Sequence, residues 1–414
     1  MKQGYLSQYF KSIAVKTLSA VEVDSKRSNQ HEFNGVASLK DIFGTKRQQF
    51  SARFIYVSDY DTNPPKEDGF LTWYDSRKND KTRTPEYRMY YPKTIVSMSA
   101  SVGDTLFICL KPDNTILVIV AERGSTIANQ ISWLFGTSDL GHTGFSFRKD
   151  LETEQDRISF TSKIILDELG VDTTENNDAY LDEMLIRFNG GFPSTKDFSA
   201  FARSTLSDIS PLDNPDTTLM YWMEREEILF RTLEKYLITE YLSSNSFGKE
   251  RGSKLDIDVN EFIRYSLSVQ NRRKSRVGHA LENHIEQLFI SRNICYSRAK
   301  KTELNSKPDF VFPGISEYHD NTFDASLLTM LGVKSSCKDR WRQILSEAMK
   351  IPIKHLLTLE SAISENQTNE MQHQNLRLVV PSVIGKTFSE KQQKWLMSVS
   401  DFIELVLEKQ ADIQ

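Results

Sequence analysis

Two hydrophobic rhythms divide this chain. In the first half, short runs of β-branched and aromatic residues recur at Ser51 to Val57, Gly69 to Tyr74, Thr105 to Leu110 and Thr115 to Val120. The last two flank Lys111-Pro-Asp-Asn, a turn-forming tetrapeptide that predicts a hairpin. Several short strands at this spacing predict a small β-barrel. In the second half the rhythm becomes helical from Met223 to Tyr241 and from Val277 to Arg292. In the latter, Val277, Ala280, Leu281, Ile285, Leu288 and Phe289 fall on one stripe. Strand-like runs follow at Asp309–Phe312, Leu327–Lys334, His355–Glu360 and Arg377–Pro381. A helix from about Asp339 to Lys350 is expected between the second and third runs, with Trp341, Ile344, Leu345 and Ala348 inward and a Ser336/Asp339 start signal. Helices alternating with strands make this half an α/β domain. Between the halves, the polar run 173–178 and the helix-breaking Asn189-Gly-Gly-Phe-Pro mark a boundary. The expected division is 1–170, a linker at 171–191, and 192–414. No repeat or low-complexity segment is evident.

Composition narrows the class. A chain of 414 residues, 39% apolar and 26% charged, exceeds one ordinary core and fits two soluble domains. No run is long and apolar enough to span a bilayer. The N-terminal Met1 to Lys16 has no apolar signal core, so a cytoplasmic location without membrane association is expected. Cys109, Cys295 and Cys337 are widely spaced without a C-x-x-C, which argues against a disulfide framework or thiolate metal site and fits a reducing compartment. The net charge of −4 hides local clusters. Six basic residues against two acids lie between Arg77 and Lys93, interleaved with Tyr87, Tyr90 and Tyr91, and four of the six residues from Asn271 to Arg276 are basic. Such clusters read either as nucleic-acid contacts or as solvated faces. There is no H-E-x-x-H and no glycine-rich phosphate loop, so a zinc hydrolase or nucleotide hydrolase is not indicated.

Candidate chemistry sits in the last third. Pro308-Asp309 opens one apolar run and Lys334 ends another, so adjacent strands would bring a carboxylate and an ammonium to one sheet edge. This is a nuclease-like arrangement: carboxylates and water suit Mg²⁺, which leaves room for phosphate oxygens. The usual form of the signature has an acid two residues before the lysine, and that slot is Gly332. Glu347 is the candidate to fill the gap. On a continuous helix from Ser336, at about 1.5 Å per residue, it would lie roughly 16 Å along the axis and reach the site only if that helix folded back. Glu282, with Glu286 one turn on, offers a further acid. On spacing alone these remain either a metal site or surface-paired acids.

The blocks Asn271 to Phe289, Lys307 to Pro313, Tyr318-His-Asp and Val333 to Ala348, in this order and spacing, resemble the EcoRII-type (type IIE) restriction endonucleases. The similarity covers most of 192–414 and extends more weakly through Tyr74-Asp-Ser-Arg and Lys81 to Arg88. It implies a C-terminal α/β PD-(D/E)xK nuclease core and an N-terminal β-rich, B3-like DNA-binding pseudobarrel. It further implies a Mg²⁺-dependent homodimer cutting double-stranded DNA to leave 5′-phosphates and 3′-hydroxyls, with a cognate DNA methyltransferase as functional partner.

In this subgroup the second acid has moved from the strand to the following helix, so Gly332 is the expected vacancy. Asp309 and Glu347 would bind metal, Lys334 would orient the attacking water, and Glu282 would support the site. Lys338, Asp339 and Arg340 match the base-reading triplet, and their donors and acceptor suit guanine and cytosine edges in the major groove. Relatives recognise CCWGG and cut before the first C. Tyr221 and Trp222 lie roughly where a stacking group for an extruded base would be wanted, although a helix-core position is the favoured reading of both. In the first half, His31, Lys81, Arg83, Glu86 and Arg88 match DNA-contacting positions, with an insertion near Pro85 and Tyr87 in place of a basic residue. That half would bind a second copy of the site and, when empty, cover the catalytic cleft. A different class stays open: a non-catalytic DNA-binding regulator using a decayed nuclease fold as a dimer scaffold.

Overall fold

The computed structural model describes residues 4–23, 31–33, 36–60, 64–79, 82–137, 144–171, 173, 178–206, 209–244, 248–251, 254–257, 259–337, 340–360 and 363–413. The chain forms two compact units. The first comprises Met1–Asp172 with Ser361–Thr368 and Thr387–Gln392, and the second comprises Thr173–Glu360, Asn369–Lys386 and Gln393–Gln414.

The first unit is built on eight strands: β1 (Ser12–Thr17), β2 (Glu32–Phe33), β3 (Gln48–Val57), β4 (Lys66–Asp75), β5 (Tyr87–Tyr90), β6 (Thr105–Leu110), β7 (Ile116–Ala121) and β8 (Ser146–Arg148). Their order is β2-β5-β4-β3-β7-β6-β1-β8, antiparallel except where β3 runs parallel to β7. The β6–β7 hairpin closes as expected at 111–114: Lys111 N–H donates to Thr115 O at 2.9 Å, and Asn114 takes φ 64°, a conformation asparagine tolerates. Alternate residues of β6 and β7 enter two cores. Leu106, Ile108, Val118 and Val120 face one with Phe54 and Trp73. Phe107, Cys109, Leu117 and Ile119 face the other, beneath the helices Thr126–Leu134 and Phe160–Glu168. Both faces being covered explains why these strands read as unbroken apolar runs. The sheet curls until its edges meet through side chains: Phe33 of β2 lies 6.4 Å, edge to face, from Phe145 beside β8.

The second unit has a five-stranded mixed sheet: β11 (Ser297–Arg298), β12 (Phe310–Phe312), β13 (Thr329–Val333), β14 (Lys354–Leu357) and β15 (Leu376–Val379), in that order. The first three are antiparallel, and β13, β14 and β15 run parallel. A small hairpin, β9 (Gly248–Arg251) with β10 (Lys254–Ile257), sits between the long helices Pro215–Ser244 and Val259–Ser291. The first outruns its sequence-read limits at both ends, and the second begins 18 residues before its expected start. The expected stripe holds, since Ala280, Leu281, Ile285, Leu288 and Phe289 are buried. The Phe289 ring meets Phe310 at 5.3 Å and Phe312 at 5.1 Å, so this helix packs on the face that Phe310 and Phe312 share. The helix Val399–Ala411 adds Phe402 to the same aromatic cluster, 5.8 Å from Phe312. Asp216, buried at the start of its helix, accepts from the amides of Ser382 (2.8 Å), Val399 (3.0 Å) and Ser400 (2.9 Å), which fixes the ends of these elements together. Among the described residues, no helix is long and apolar enough to cross a membrane.

Candidate functional site

The site forms on the opposite face of the sheet. Pairing Phe310 with Leu331 puts Phe310 and Phe312 toward the long helix and, by alternation, sends Asp309 to the other face, together with Gly332 and Lys334. Asp309 Oδ2 accepts from Val333 N–H at 2.6 Å and from Lys334 Nζ at 3.0 Å. Lys334 N–H donates to Leu357 O at 2.9 Å, which extends the parallel ladder by one bond and fixes the backbone that carries the ammonium. The expected pair therefore meets at one sheet edge.

Gly332, the vacant slot, lies beside Asp309. A Cβ built there would stand 2.7 Å from Ile344 Cδ1. The space an acid would need is filled by an isoleucine from the following segment.

That segment differs from expectation. The helix runs only over Trp341–Ile344, not to Lys350. Glu347 N–H then donates to Ile344 O at 3.1 Å in a turn, and Ala348 takes φ 45°. Glu347 is therefore three residues past the helix end, and no folded-back helix is needed to deliver it. Burial, and then the charge of Asp309, push its carboxyl up to about 7, against the lowering effect of Lys334 and Lys354. Its Oε2 is buried and has no hydrogen-bond partner among the described residues. A buried carboxylate oxygen left unpaired is costly, and a cation shared with Asp309 would satisfy it. Among the described residues no three His, Cys, Asp or Glu side chains cluster as a preformed metal cage. Two carboxylates plus water and phosphate oxygens are the donor set of a Mg²⁺ site, so the residues present fit that ion.

Glu282 is held elsewhere. Its Oε2 accepts from Arg298 Nη2 at 2.9 Å, while Arg298 Nη1 donates to Glu286 at 2.6 Å and to Asn283 at 3.1 Å. Arg298 pairs in register with Phe310, so Glu282 stands behind the Asp309 strand through this arginine. Spacing could not reveal that arginine. Lys338 and Asp339 lie outside the described residues. Arg340 is exposed, with Nη2 donating to Ser336 O at 3.0 Å.

Residues 230–403 match the family described as EcoRII C terminal. The resemblance carried by the sequence blocks is borne out. The type II restriction enzyme EcoRII of Escherichia coli is 40% identical over 223 residues, 54% of this chain and 52% of that enzyme. The chain thus spans about half the length of the curated relative it matches. Among solved structures, metal-depleted Ecl18kI in complex with uncleaved, modified DNA aligns with a TM-score of 0.46 at 18% identity, over 58% of this chain and 87% of that one. A PspGI–substrate DNA complex gives 0.41 at 18% identity, over 52% and 94%. Likeness at that level carries no argument.

Outside this site, the two aromatic candidates part company. Trp222 is 4% exposed, 5.7 Å from the His284 ring and under the Arg203 guanidinium, a core residue as favoured. Tyr221 is 50% exposed, which corrects its reading as helix core. In the first unit, β4 and β5 bring the basic stretch together. Arg88 Nη1 binds Glu32 at 2.6 Å, and Glu86 accepts from Arg88 at 3.2 Å and pairs with Arg77 at 2.6 Å. The hydrogen bond to Glu32 raises the Arg88 pKa further. Tyr87 stacks on Trp73 at 5.1 Å, with the Lys40 ammonium 5.7 Å from its ring. His31 holds φ 48° with its ring edge-on to Tyr91, and its carbonyl accepts from Tyr91 N–H at 2.9 Å. Arg83 is exposed, and Lys81 lies outside the described residues.

Two outcomes are expected. Gly332→Asp, which restores the acid to its usual strand position, must displace Ile344 and should lower stability by about 1–3 kcal/mol; an unchanged urea midpoint would show that the packing tolerates it. In metal-free protein, Glu347 keeps its proton up to about 7 when folded but loses it near 4.5 when unfolded. The native state then binds more protons over that window, so stability falls as pH rises through it, by about 3 kcal/mol at most. Thermal melts of wild type and Glu347→Gln in chelator should converge at low pH, with the variant more stable above neutrality. Parallel pH profiles would contradict the assignment.

Proposed function

We propose that this chain is a type II restriction endonuclease of the EcoRII kind, hydrolysing double-stranded DNA site-specifically in a bacterial cytoplasm. The observation that carries the reading is the buried, unpartnered Oε2 of Glu347 beside the Asp309–Lys334 pair. Asp309 and Glu347 would hold Mg²⁺, which when bound neutralises charge on the attacked phosphate and its leaving oxygen. Lys334, anchored by Asp309, orients the attacking water. The water oxygen bonds to phosphorus, the bond to the 3′ oxygen breaks, and that oxygen leaves as the 3′-hydroxyl opposite a 5′-phosphate. Glu282 supports the site through Arg298. The core is of the PD-(D/E)xK type with its second acid displaced to Glu347.

Recognition falls to Lys338, Asp339 and Arg340, whose cations and carboxylate suit the G-G and C-C edges of a CCWGG-like palindrome, one triplet per subunit of a homodimer. The first unit, a B3-like pseudobarrel, binds a second copy of the site through Arg83, Glu86, Arg88, Lys81 and His31. Its Arg77–Glu86–Arg88–Glu32 pairs hold the arginines in one orientation before DNA arrives. Empty, it restrains cleavage. Host DNA is protected by a separate methyltransferase. The regulator reading is weaker, because Asp309 pairs with Lys334 and Glu347 feels the charge of both, which supports an intact rather than a decayed site.

Incubation with Mg²⁺ and DNA carrying several CCWGG sites should give discrete fragments. Asp309→Ala should abolish cutting, by at least about 10³-fold, while leaving DNA binding in place. A variant that still cuts would refute the site. Deleting residues 1–180 should raise activity on single-site DNA, and equal activity would remove the restraining role.

A further inference from the structure

Glu347 does not sit on a regular element. Its turn includes Ala348 at φ 45°, a left-handed conformation that costs a non-glycine residue about 1–3 kcal/mol unless its surroundings hold it. The four residues after Glu347 are each tied through a backbone group. Lys354 Nζ donates to Ala348 O at 2.6 Å and Ile351 O at 2.5 Å. Met349 N–H donates to Glu303 Oε2 at 3.2 Å, and Lys350 N–H donates to Tyr318 Oη at 3.2 Å. Tyr318 Oη in turn donates to Glu303 at 2.6 Å, and Lys350 Nζ reaches Tyr318 O at 2.8 Å. Tyr318 is fully buried and Lys354 only 5% exposed. A buried ammonium on the first residue of β14 that clasps two carbonyls of one turn is an unusual use of lysine, since burial is costly to its charge. Tyr318 also belongs to a sequence block that the catalytic reading left without a role.

We infer that Lys354, Tyr318 and Glu303 are positioning residues that clasp the 348–351 turn and so hold Glu347 where it can share a divalent cation with Asp309. This rests on the metal-site reading above. All three act through the backbone of that turn. Mg²⁺ demands near-ideal ligand geometry, so a ligand delivered by an irregular turn needs such a clasp, whereas one on a strand would not.

The test compares full-length wild type, Tyr318→Phe and Lys354→Met. Mn²⁺ binding to DNA-free protein is followed by electron paramagnetic resonance, alongside hydrogen exchange at the Met349 and Lys350 amides. Tyr318→Phe should weaken Mn²⁺ binding several-fold and Lys354→Met about tenfold or more, with faster exchange at both amides. The Mg²⁺ concentration for half-maximal cleavage should rise by the same factors, while metal-free DNA binding stays constant. The sign is diagnostic for Lys354. Removing a nearby cation acts through charge alone to tighten divalent binding, so weaker binding reports lost geometry. Equal or tighter Mn²⁺ binding in folded variants would overturn the proposal. If Lys354→Met does not fold, Tyr318→Phe decides. If wild type binds Mn²⁺ but cuts nothing, the nuclease reading fails while the binding ratios still judge the clasp.

Discussion

The arrangement of the second unit depends on one packing contact, Ile344 seated over Gly332. A strand residue beside Asp309 would ordinarily carry a side chain into the site. With only a hydrogen there, the short helix Trp341–Ile344 can lie close against β13, with Trp341 and Ile344 buried. Its close approach sets where the next turn begins, and that turn carries Glu347. The missing side chain on the strand and the acid beyond the helix are therefore one structural fact. An apolar contact, directionless by itself, acquires direction because the strand ladder fixes Gly332 and Lys334 at one edge.

Much of this was legible in the chain. The strands around Asp309 and Lys334 announce themselves because they are covered on both faces and read as apolar runs bounded by breakers. The stripe on Val259–Ser291 is visible because one face of a helix repeats every turn. The turn at Glu347 was not legible. Trp341, Ile344 and Ala348 do keep helical spacing and are buried, but the backbone of 348–351 bonds to Lys354, Glu303 and Tyr318 instead of continuing a helical ladder. Lys354 lies close by in the chain, but Glu303 and Tyr318 lie 46 and 32 residues from the amides they hold, so no local window contains the whole competition. Tyr221 and Trp222 make the same point: adjacent residues on one helix point to different surroundings, and aromatic character alone cannot rank them.

The first unit shows how charge reads differently in sequence and in space. A run rich in arginine suggests a positive surface, yet Glu32 of β2 and Glu86, just before β5, distant from one another along the chain, both engage Arg88 of β5. The pairing leaves a patterned surface of alternating sign. Such a surface discriminates by geometry more than by total charge.

The raised titration of Glu347 makes its carboxyl a store of acid. Burial and the charge of Asp309 favour a proton on that carboxyl up to about pH 7, and a divalent cation held between Asp309 and Glu347, as proposed, would have to expel it. Loading would then be an exchange of proton for metal, with hydrogen ion competing with the cation for one buried oxygen. Apparent affinity would climb with alkalinity, and the heat of loading would depend on the buffer that receives the released proton.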